Sequence, residues 1–145
     1  MRTDRIALSY GRRAESRLTD ARSALGRGSF PDAVRYSQEC VEMSLKAVLR
    51  AVGIEYPKEH EVSTVLVSQT DRLPAVVSER VDYLAKVSSK LYDARGPAMY
   101  GDEEAGTPPE EIFTEEDARR SVGEAEEVYE LCSSALEDLL QGGEA

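Results

Sequence analysis

The sequence predicts an all-α fold, and three observations support this prediction. Apolar residues recur at helical spacing through most of the chain, β-branched residues are scattered through the same patterns, and no Asn-Gly or Asp-Gly hairpin signal occurs. The chain has 145 residues, of which 41% are hydrophobic, so it can bury a core without a disulfide or a metal. We therefore expect one helical domain over residues 1–145.

The first two helices are predicted over residues 4–25 and 30–52. The glycines of GRGS end the first helix, and Pro31 lies near the first position of the second, where its missing N–H costs nothing. The second helix carries a broad band of apolar and small residues, which indicates a central helix that contacts more than one neighbour. We also expect part of this band to pair with a second copy of the chain in a homodimer.

The following helices are predicted over residues 62–70 and 75–94, with a break at Pro74 and an end at Arg95. Residues 96–113, GPAMYGDEEAGTPPEEIF, then predict a long acidic loop that is mobile without a ligand. Loops longer than about 12 to 15 residues are commonly functional or disordered, so a functional site is expected beside this one. Thr114 and Asp117 form a capping-box-like start of the last helix.

The charge is divided unevenly along the chain. Residues 1–95 carry 16 Lys and Arg against 13 Asp and Glu, whereas residues 96–145 carry 2 against 15. We therefore expect the basic first helix to face the acidic last helix. The formal net charge of -10 argues against non-specific binding to long nucleic acid, and we expect no DNA partner, although a local basic pocket can still hold a phosphate.

Several classes of protein are excluded or disfavoured. No apolar run approaches the ~20 residues of a membrane helix, and the start mixes charges into what would be the apolar part of a secretory signal, so we expect a cytoplasmic protein without membrane contact. Cys40 and Cys132 lie at apolar-periodic positions, which predicts buried thiols. No phosphate loop, nucleophile elbow or His-Glu-x-x-His pattern is present, and with one histidine we expect neither a metal nor a cofactor.

Arg95, with Tyr92 and Tyr100 near it, is the main candidate for chemistry. A guanidinium beside a mobile loop, with tyrosines able to stack, can form a fork for a phosphate or nucleotide. The alternative is that Arg95 only favours the dipole of a helix end.

His60 and the pair Glu42 and Lys46 are further candidates. His60 precedes the short third helix, where it can cap or pack, or act as an acid or base near neutral pH. Glu42 and Lys46 are four residues apart, so the alternative to a ligand contact is an exposed helix pair worth about 0.2–0.5 kcal/mol.

Four stretches in this order resemble the HEPN domain family. They are AVRYSQECVEMSLKAVLRAVGIEYP, the stretch around His60-Glu61-Val62, LYDARGPAMYGDE and FTEEDARRSVGEAEEVYEL. The resemblance implies an up-and-down bundle of four to five helices, usually a homodimer with its arginines gathered at a cleft, and a possible nucleotidyltransferase partner in a toxin-antitoxin-type module. It makes Arg95, Tyr92, Tyr100, Lys46 and Glu42 the candidate nucleotide-binding residues.

In the nuclease members of that family, a histidine follows the arginine and the pair cleaves RNA without a metal. Here no histidine follows Arg95 up to Asp102, and Tyr100 stands where a histidine is expected. A phenol ionises near pH 10 in water and is a poor base at neutral pH. We therefore favour a non-catalytic dimer that binds a nucleotide or a nucleotidyltransferase, with RNA as a further candidate ligand. The alternatives are a ribonuclease toxin that uses Arg95 with Tyr100 or His60, and a helical interaction module without a ligand.

Overall fold

The computed structural model describes residues 2–59 and 61–144, and this part of the chain is helical without a β-sheet. The all-α prediction is confirmed. Seven α-helices follow one another: α1 Arg2–Gly26, α2 Phe30–Ala51, α3 Ser63–Ser68, α4 Ala75–Ser78, α5 Val81–Tyr100, α6 Pro109–Ile112 and α7 Glu115–Glu144. A single 3₁₀ turn, Thr70–Arg72, lies between α3 and α4.

Helix α2 is the centre of the bundle and packs against α1, α5 and α7. Its broad band is almost completely buried, as the sequence predicts for a central helix. The chain's own helices cover this band, so its width is no longer an argument for a second copy. The large side chains that are fully buried include Leu45, Leu49, Leu66, Leu84, Leu91, Val34, Val41 and Val128.

Small residues let α1, α2 and α7 approach one another closely. Ala21, Ala33 and Ala118 are fully buried in one cluster at the end where α2 begins. Both cysteines are buried and free, as predicted. Burial raises the pKa of the Cys40 thiol to about 12 and also raises the pKa of the Cys132 thiol.

Helix α5 does not end at Arg95, so the predicted helix end there is wrong. The helix continues through Pro97 to Tyr100, because the lost N–H of one proline near a helix end is offset by other contacts. Ala98 is buried, and the Gly101 amide donates to the Pro97 carbonyl at 2.9 Å to close the last turn. Arg95 is therefore an interior residue of the helix.

The predicted loop over 96–113 is consequently much shorter. Residues 101–108 form a tight turn in which Asp102 and Thr107 pair as an isolated antiparallel bridge, with N···O distances of 2.8 and 2.9 Å. Helix α6 follows at once, and α7 begins with the predicted capping box. The Thr114 amide donates to the Asp117 carboxylate at 2.9 Å, and the Asp117 amide donates to the Thr114 hydroxyl at 3.2 Å.

The predicted helix over 75–94 is divided, since α4 ends at Ser78 and α5 begins at Val81. Arg80, which lies at this division, donates to Glu127 of α7 at 2.6 Å. The Arg80 guanidinium, followed by the Tyr83 hydroxyl, holds the pKa of Glu127 below its ordinary value. The break therefore places a cation of the middle segment against the acidic last helix.

The expected pairing of the basic first helix with the acidic last helix is present at Arg22, which lies 3.2 Å from Glu126. Other ion pairs to the carboxylates of α7 come from outside the first helix, since Arg80 and, from α5, Lys90 also pair with them. No helix in the described part of the chain is both long and apolar enough to cross a membrane.

Candidate functional site

Arg95 lies on the exposed surface of α5, about one turn before the helix ends. Its guanidinium forms no hydrogen bond and no ion pair with any residue that the structure describes. An arginine in the last turn of a helix can donate hydrogen bonds to the last carbonyl groups. In α5 these carbonyls lie further along the chain than Arg95, from Pro97 onward. The guanidinium is therefore open to solvent with its full set of donors.

Tyr92 and Met99 lie on the same face of α5 as Arg95. They stand three residues before it and four after it, and residues at these spacings are neighbours on a helix surface. Tyr92 is half-buried, and 42% of Met99 is exposed. The three side chains form a surface of one cation, one ring and one thioether, which we call the Arg95 face.

Tyr100 is on a different side of the helix. Since successive residues turn by about 100° in an α-helix, Tyr100 lies about 140° around the axis from Arg95. It is 63% exposed and lines an open groove of about 510 Å³ together with Gly96, Asp102 and Glu103. The continuation of α5 thus separates the two residues that the sequence placed at one loop, and it directs Tyr100 toward the acidic turn.

His60 lies outside the described residues, but the segment that follows it is anchored next to α5. The Glu61 carboxylate accepts hydrogen bonds from the Ser63 amide at 2.8 Å, from the Ser63 hydroxyl, and from the Ser88 hydroxyl of α5 at 3.0 Å. Ser88 is one helical turn before Tyr92. This contact ties the start of α3 to the side of α5 that leads to the Arg95 face.

Lys46 and Glu42 form a pair inside the protein rather than an exposed helix pair. The Lys46 ammonium donates to the Glu42 carboxylate at 2.9 Å and to the Lys58 carbonyl at 2.8 Å, and it lies 5.6 Å from the ring centre of Tyr56. Only 4% of the Lys46 side chain is exposed. No hydrogen bond among the described residues links this pair to Arg95.

Gln38 extends this polar row and was missed by the sequence analysis. Its amide nitrogen donates to Glu42 at 3.0 Å, while its amide oxygen is buried without a partner among the described residues. The four-residue spacing of Gln38, Glu42 and Lys46 was the available signal, since such residues share one face of a helix. The row gives α2 a polar edge that is almost closed to solvent.

The described part of the chain contains no cluster of three or more His, Cys, Asp or Glu side chains placed to hold a metal ion. The remaining candidate groups are the exposed Arg95 guanidinium and the adjacent Tyr92 ring on α5. Glu61 ties this helix to the start of α3 through its bond with Ser88. A guanidinium of this kind can donate two parallel hydrogen bonds to a phosphate, and a ring can stack on a base.

The comparisons with known proteins agree with the family that the sequence resembles. The HEPN domain model matches residues 8–136. The curated protein "Putative toxin MJ1304" of Methanocaldococcus jannaschii is 31% identical over 140 residues, which cover 92% of this chain and 90% of that protein. The crystal structure of an archaeal HEPN homologue, ST0689, superposes with a TM-score of 0.64 at 27% identity and covers 90% of this chain and 97% of the other.

Proposed function

This chain belongs to the HEPN domain family, and on that premise we propose that it is a non-catalytic, nucleotide- or RNA-binding member that works as a homodimer. The ligand is held by its phosphate at Arg95 and by its base at Tyr92. The observation that supports this proposal is the exposed Arg95 guanidinium, which has no partner among the described residues.

The cost of an unpaired arginine at a surface is small, so exposure alone does not indicate a ligand. Here the guanidinium is combined with a ring three residues away and with a helix whose inner face is fully packed at Leu91 and Ala98. The backbone that carries Arg95 is thereby fixed, and less freedom is lost when a phosphate binds. Lys46 and Glu42 support this scaffold from within in our proposal and do not contact the ligand.

Binding without cleavage is proposed because the Arg95 face lacks a base. No histidine follows Arg95 in the sequence, and Tyr100 points away from it. A general base contributes about 10²–10⁴-fold to such a reaction, so an arginine alone leaves most of the barrier in place.

We further propose that the protein acts in a toxin-antitoxin-type module and that a nucleotidyltransferase is its partner protein. The toxin-antitoxin role is supported by the family and by the name of the Methanocaldococcus relative. A nucleotidyltransferase reading frame beside the gene, and co-purification of its product with this chain, are the results that we expect.

Binding is tested by fluorescence anisotropy with a short labelled single-stranded RNA and by calorimetry with ATP. We expect Arg95→Ala to weaken binding by about tenfold or more, since a hydrogen bond to a charged group is lost. The affinity of Arg95→Lys should lie between those of the wild type and Arg95→Ala, because lysine keeps the charge but not the two-pronged guanidinium. Arg13→Ala is the matched control, because Arg13 is an exposed arginine on α1. Equal affinities of the wild type and Arg95→Ala would contradict the proposal.

A metal-independent ribonuclease toxin is the second candidate, and the name of the Methanocaldococcus relative favours only its toxin role. It requires a proton acceptor that reaches the ribose hydroxyl beside Arg95, for which His60 or Tyr100 is the candidate. RNA cleavage by the purified protein that is lost in both Arg95→Ala and His60→Ala would establish this function in place of binding alone. A wild-type protein that neither binds nor cleaves would leave a helical interaction module.

A further inference from the structure

An open pocket of about 390 Å³ lies beside the end of α2. Arg50 of the last helical turn lines it, together with residues of the loop that follows: Gly53, Ile54, Glu55, Tyr56 and Lys58. Arg95 lies level with the start of α2, because its neighbour Ala94 lines another pocket with Val34. Val34 and Arg50 are about 24 Å apart along the helix axis, at 1.5 Å per residue. The pocket is therefore separate from the Arg95 face.

Arg50 brings an unpaired guanidinium to this pocket. It forms no ion pair and no hydrogen bond of normal geometry with any residue that the structure describes. Its Nε atom is buried without a partner and is closed to a ligand, so a ligand has to be received by the two terminal nitrogens. A guanidinium contains donors and no acceptor. Arg50 can therefore donate two parallel hydrogen bonds to an oxyanion.

The Tyr56 hydroxyl is a further donor at the pocket. It lies near the Arg50 guanidinium and the Tyr10 hydroxyl of α1. Burial, followed by the Tyr10 hydroxyl, raises the pKa of Tyr56 to about 12, against the smaller opposite effect of Arg50. The phenol therefore keeps its proton at neutral pH. A protonated phenol and a guanidinium that lie together have an excess of donors, which an anion can accept.

Lys58 adds a second cation, and hydrogen bonds hold the loop that carries it. The Lys46 ammonium donates to the Lys58 carbonyl at 2.8 Å, and the Arg72 guanidinium donates to the Gly53 carbonyl at 3.4 Å. The Lys58 side chain is exposed and has no ion pair within the described part of the chain. The loop backbone is thus fixed before a ligand binds, while the Lys58 ammonium is still available to it.

The charges that line the pocket favour an anion. Glu55 is the one carboxylate among the lining residues, against the cations of Arg50 and Lys58. One positive charge is therefore in excess at this place, although the whole chain has a formal net charge of -10. Glu55 opposes an anion, so its removal should strengthen the binding of one.

We infer that this pocket binds a phosphate group, with oxygens on the terminal nitrogens of Arg50, on the Lys58 ammonium and on the Tyr56 hydroxyl. A carboxylate has two oxygens, whereas a phosphate group offers three or more and can accept from all of these donors at once. The group can be free phosphate or the terminal phosphate of a nucleotide, which share this chemistry. The inference goes beyond the binding proposed at the Arg95 face and does not depend on it.

The test is an NMR titration of the full chain carrying Arg95→Ala, which removes the other proposed phosphate site. The probes are sodium phosphate and, separately, ATP, with sodium chloride at equal ionic strength as the control for screening. We expect saturable shifts of the Gly53, Glu55 and Tyr56 amides with both probes and none with chloride. Tighter binding of phosphate would identify free phosphate as the ligand, and tighter binding of ATP a nucleotide. Either order supports a phosphate site.

A matched pair of lysine variants locates the site. Lys58→Ala should weaken phosphate binding about threefold to tenfold, since an exposed cation contributes modestly in water. It keeps the backbone carbonyl that Lys46 uses, so it is expected to fold normally. Lys86→Ala, at an exposed lysine of α5, should change binding by less than about twofold. Equal binding by these two variants would overturn the inference.

Two further variants test the chemistry of the site. Arg50→Lys keeps the charge but not the two-pronged guanidinium, so it should weaken phosphate binding about threefold or more. Glu55→Gln removes the opposing charge and should strengthen phosphate binding about twofold or more. Weaker binding in Glu55→Gln would overturn the inference. Absence of saturable shifts of the Gly53, Glu55 and Tyr56 amides with both probes would also overturn it.

Discussion

The Lys46 ammonium donates a hydrogen bond across 2.9 Å to the Glu42 carboxylate while 4% of the lysine side chain and 22% of the glutamate side chain are exposed. The same ammonium donates to the Lys58 carbonyl, and Gln38 donates to the other oxygen of Glu42. An ammonium that has lost its water is stable only when such partners replace it. The pair therefore joins α2 to the segment that precedes α3.

Lys46→Ala is expected to lower the free energy of unfolding by about 3 kcal/mol, because it leaves a largely buried carboxylate without its cation. Arg119→Ala is the control, since Arg119 also pairs with a glutamate four residues away, but both side chains are more than half exposed. We expect its cost to be about 0.5 kcal/mol or less. Urea denaturation followed by circular dichroism measures both, and similar losses would show that the Lys46 pair is no stronger than a surface pair.

Gly101→Ala is expected to disrupt the turn that follows α5. Gly101 has φ 68° and ψ -152°, and an added Cβ would lie 2.2 Å from the Thr107 carbonyl oxygen. We expect a loss of about 2–3 kcal/mol and faster hydrogen exchange of the Asp102 and Thr107 amides. Gly106→Ala is the control, because Gly106 has φ 70° but open space around it, and its cost is expected to be about 1 kcal/mol. Equal exchange rates in the two variants would contradict this reasoning.

Helix periodicity was sufficient to predict the bundle and its central helix. The stripes of α1, α2 and α7 are long and regular, and the core residues Leu45, Leu49 and Val128 lie on them. The capping box at Thr114 was also visible, since it depends on two residues three apart. These features are local in sequence or repeat along one helix, which is why the sequence alone reveals them.

The end of α5 was not predictable from local signals. Gly96 and Pro97 indicate a break, yet the helix continues because Ala98 is buried and Gly101 closes the last turn. The consequence reaches the candidate site, since the same continuation moves Tyr100 away from Arg95. The burial of Lys46 was also not predictable from local sequence. It depends on the Lys58 carbonyl and the Tyr56 ring, which a loop contributes.

The protein is expected to lose stability at alkaline pH through Cys40. Burial raises the pKa of this thiol from 9.0 to about 12, so the folded state retains a proton that the unfolded state releases. The contribution of the protonated Cys40 thiol to the free energy of unfolding is complete below about pH 9. It is lost as the pH rises toward about 12. By pH 10.5 we expect about 1–2 kcal/mol of loss, from a slope of about 1.4 kcal/mol per pH unit.

Cys40→Ala provides the comparison for that pH dependence. It removes the titrating group, so its free energy of unfolding should fall less between pH 8 and pH 10.5 than that of the wild type. Tyr56 and Tyr83 also have raised pKa values, but both proteins contain them. Parallel pH profiles for the two proteins would mean that Cys40 does not contribute.

Light scattering is expected to show a dimer at micromolar concentration that uses the outer side of α5. Ala85 lies on this side of α5 beside Val67 of α3, which is 54% exposed, and the two line one open surface away from the Arg95 face. Such an unpartnered apolar surface suits a symmetric interface. Val67→Asp should give a folded monomer, whereas Ile6→Asp, at a 36% exposed site on α1, should leave the dimer intact. A monomeric wild type would refute this.

The final prediction concerns RNA cleavage and depends on which side of α5 carries an imidazole. The wild-type protein should leave single-stranded RNA intact over hours, because the Arg95 face has no base. Tyr100→His restores the residue spacing of the nuclease members, but the helix places position 100 about 140° from Arg95, so we expect little gain. Met99→His places the imidazole one turn from Arg95 on the same face, where a proton acceptor and a guanidinium can act on one phosphodiester.

Gel analysis of a labelled RNA should therefore show faster cleavage by Met99→His than by Tyr100→His. Adding Arg95→Ala to either variant should abolish the cleavage. The alternative outcome is informative in a specific way. If Tyr100→His is the more active variant, its imidazole must act with an arginine that is not on its own helix face, as in a site shared by two copies of the chain. Mixing the chain that carries both Tyr100→His and Arg95→Ala with the wild type, which retains Arg95, would then give cleavage that neither chain shows alone.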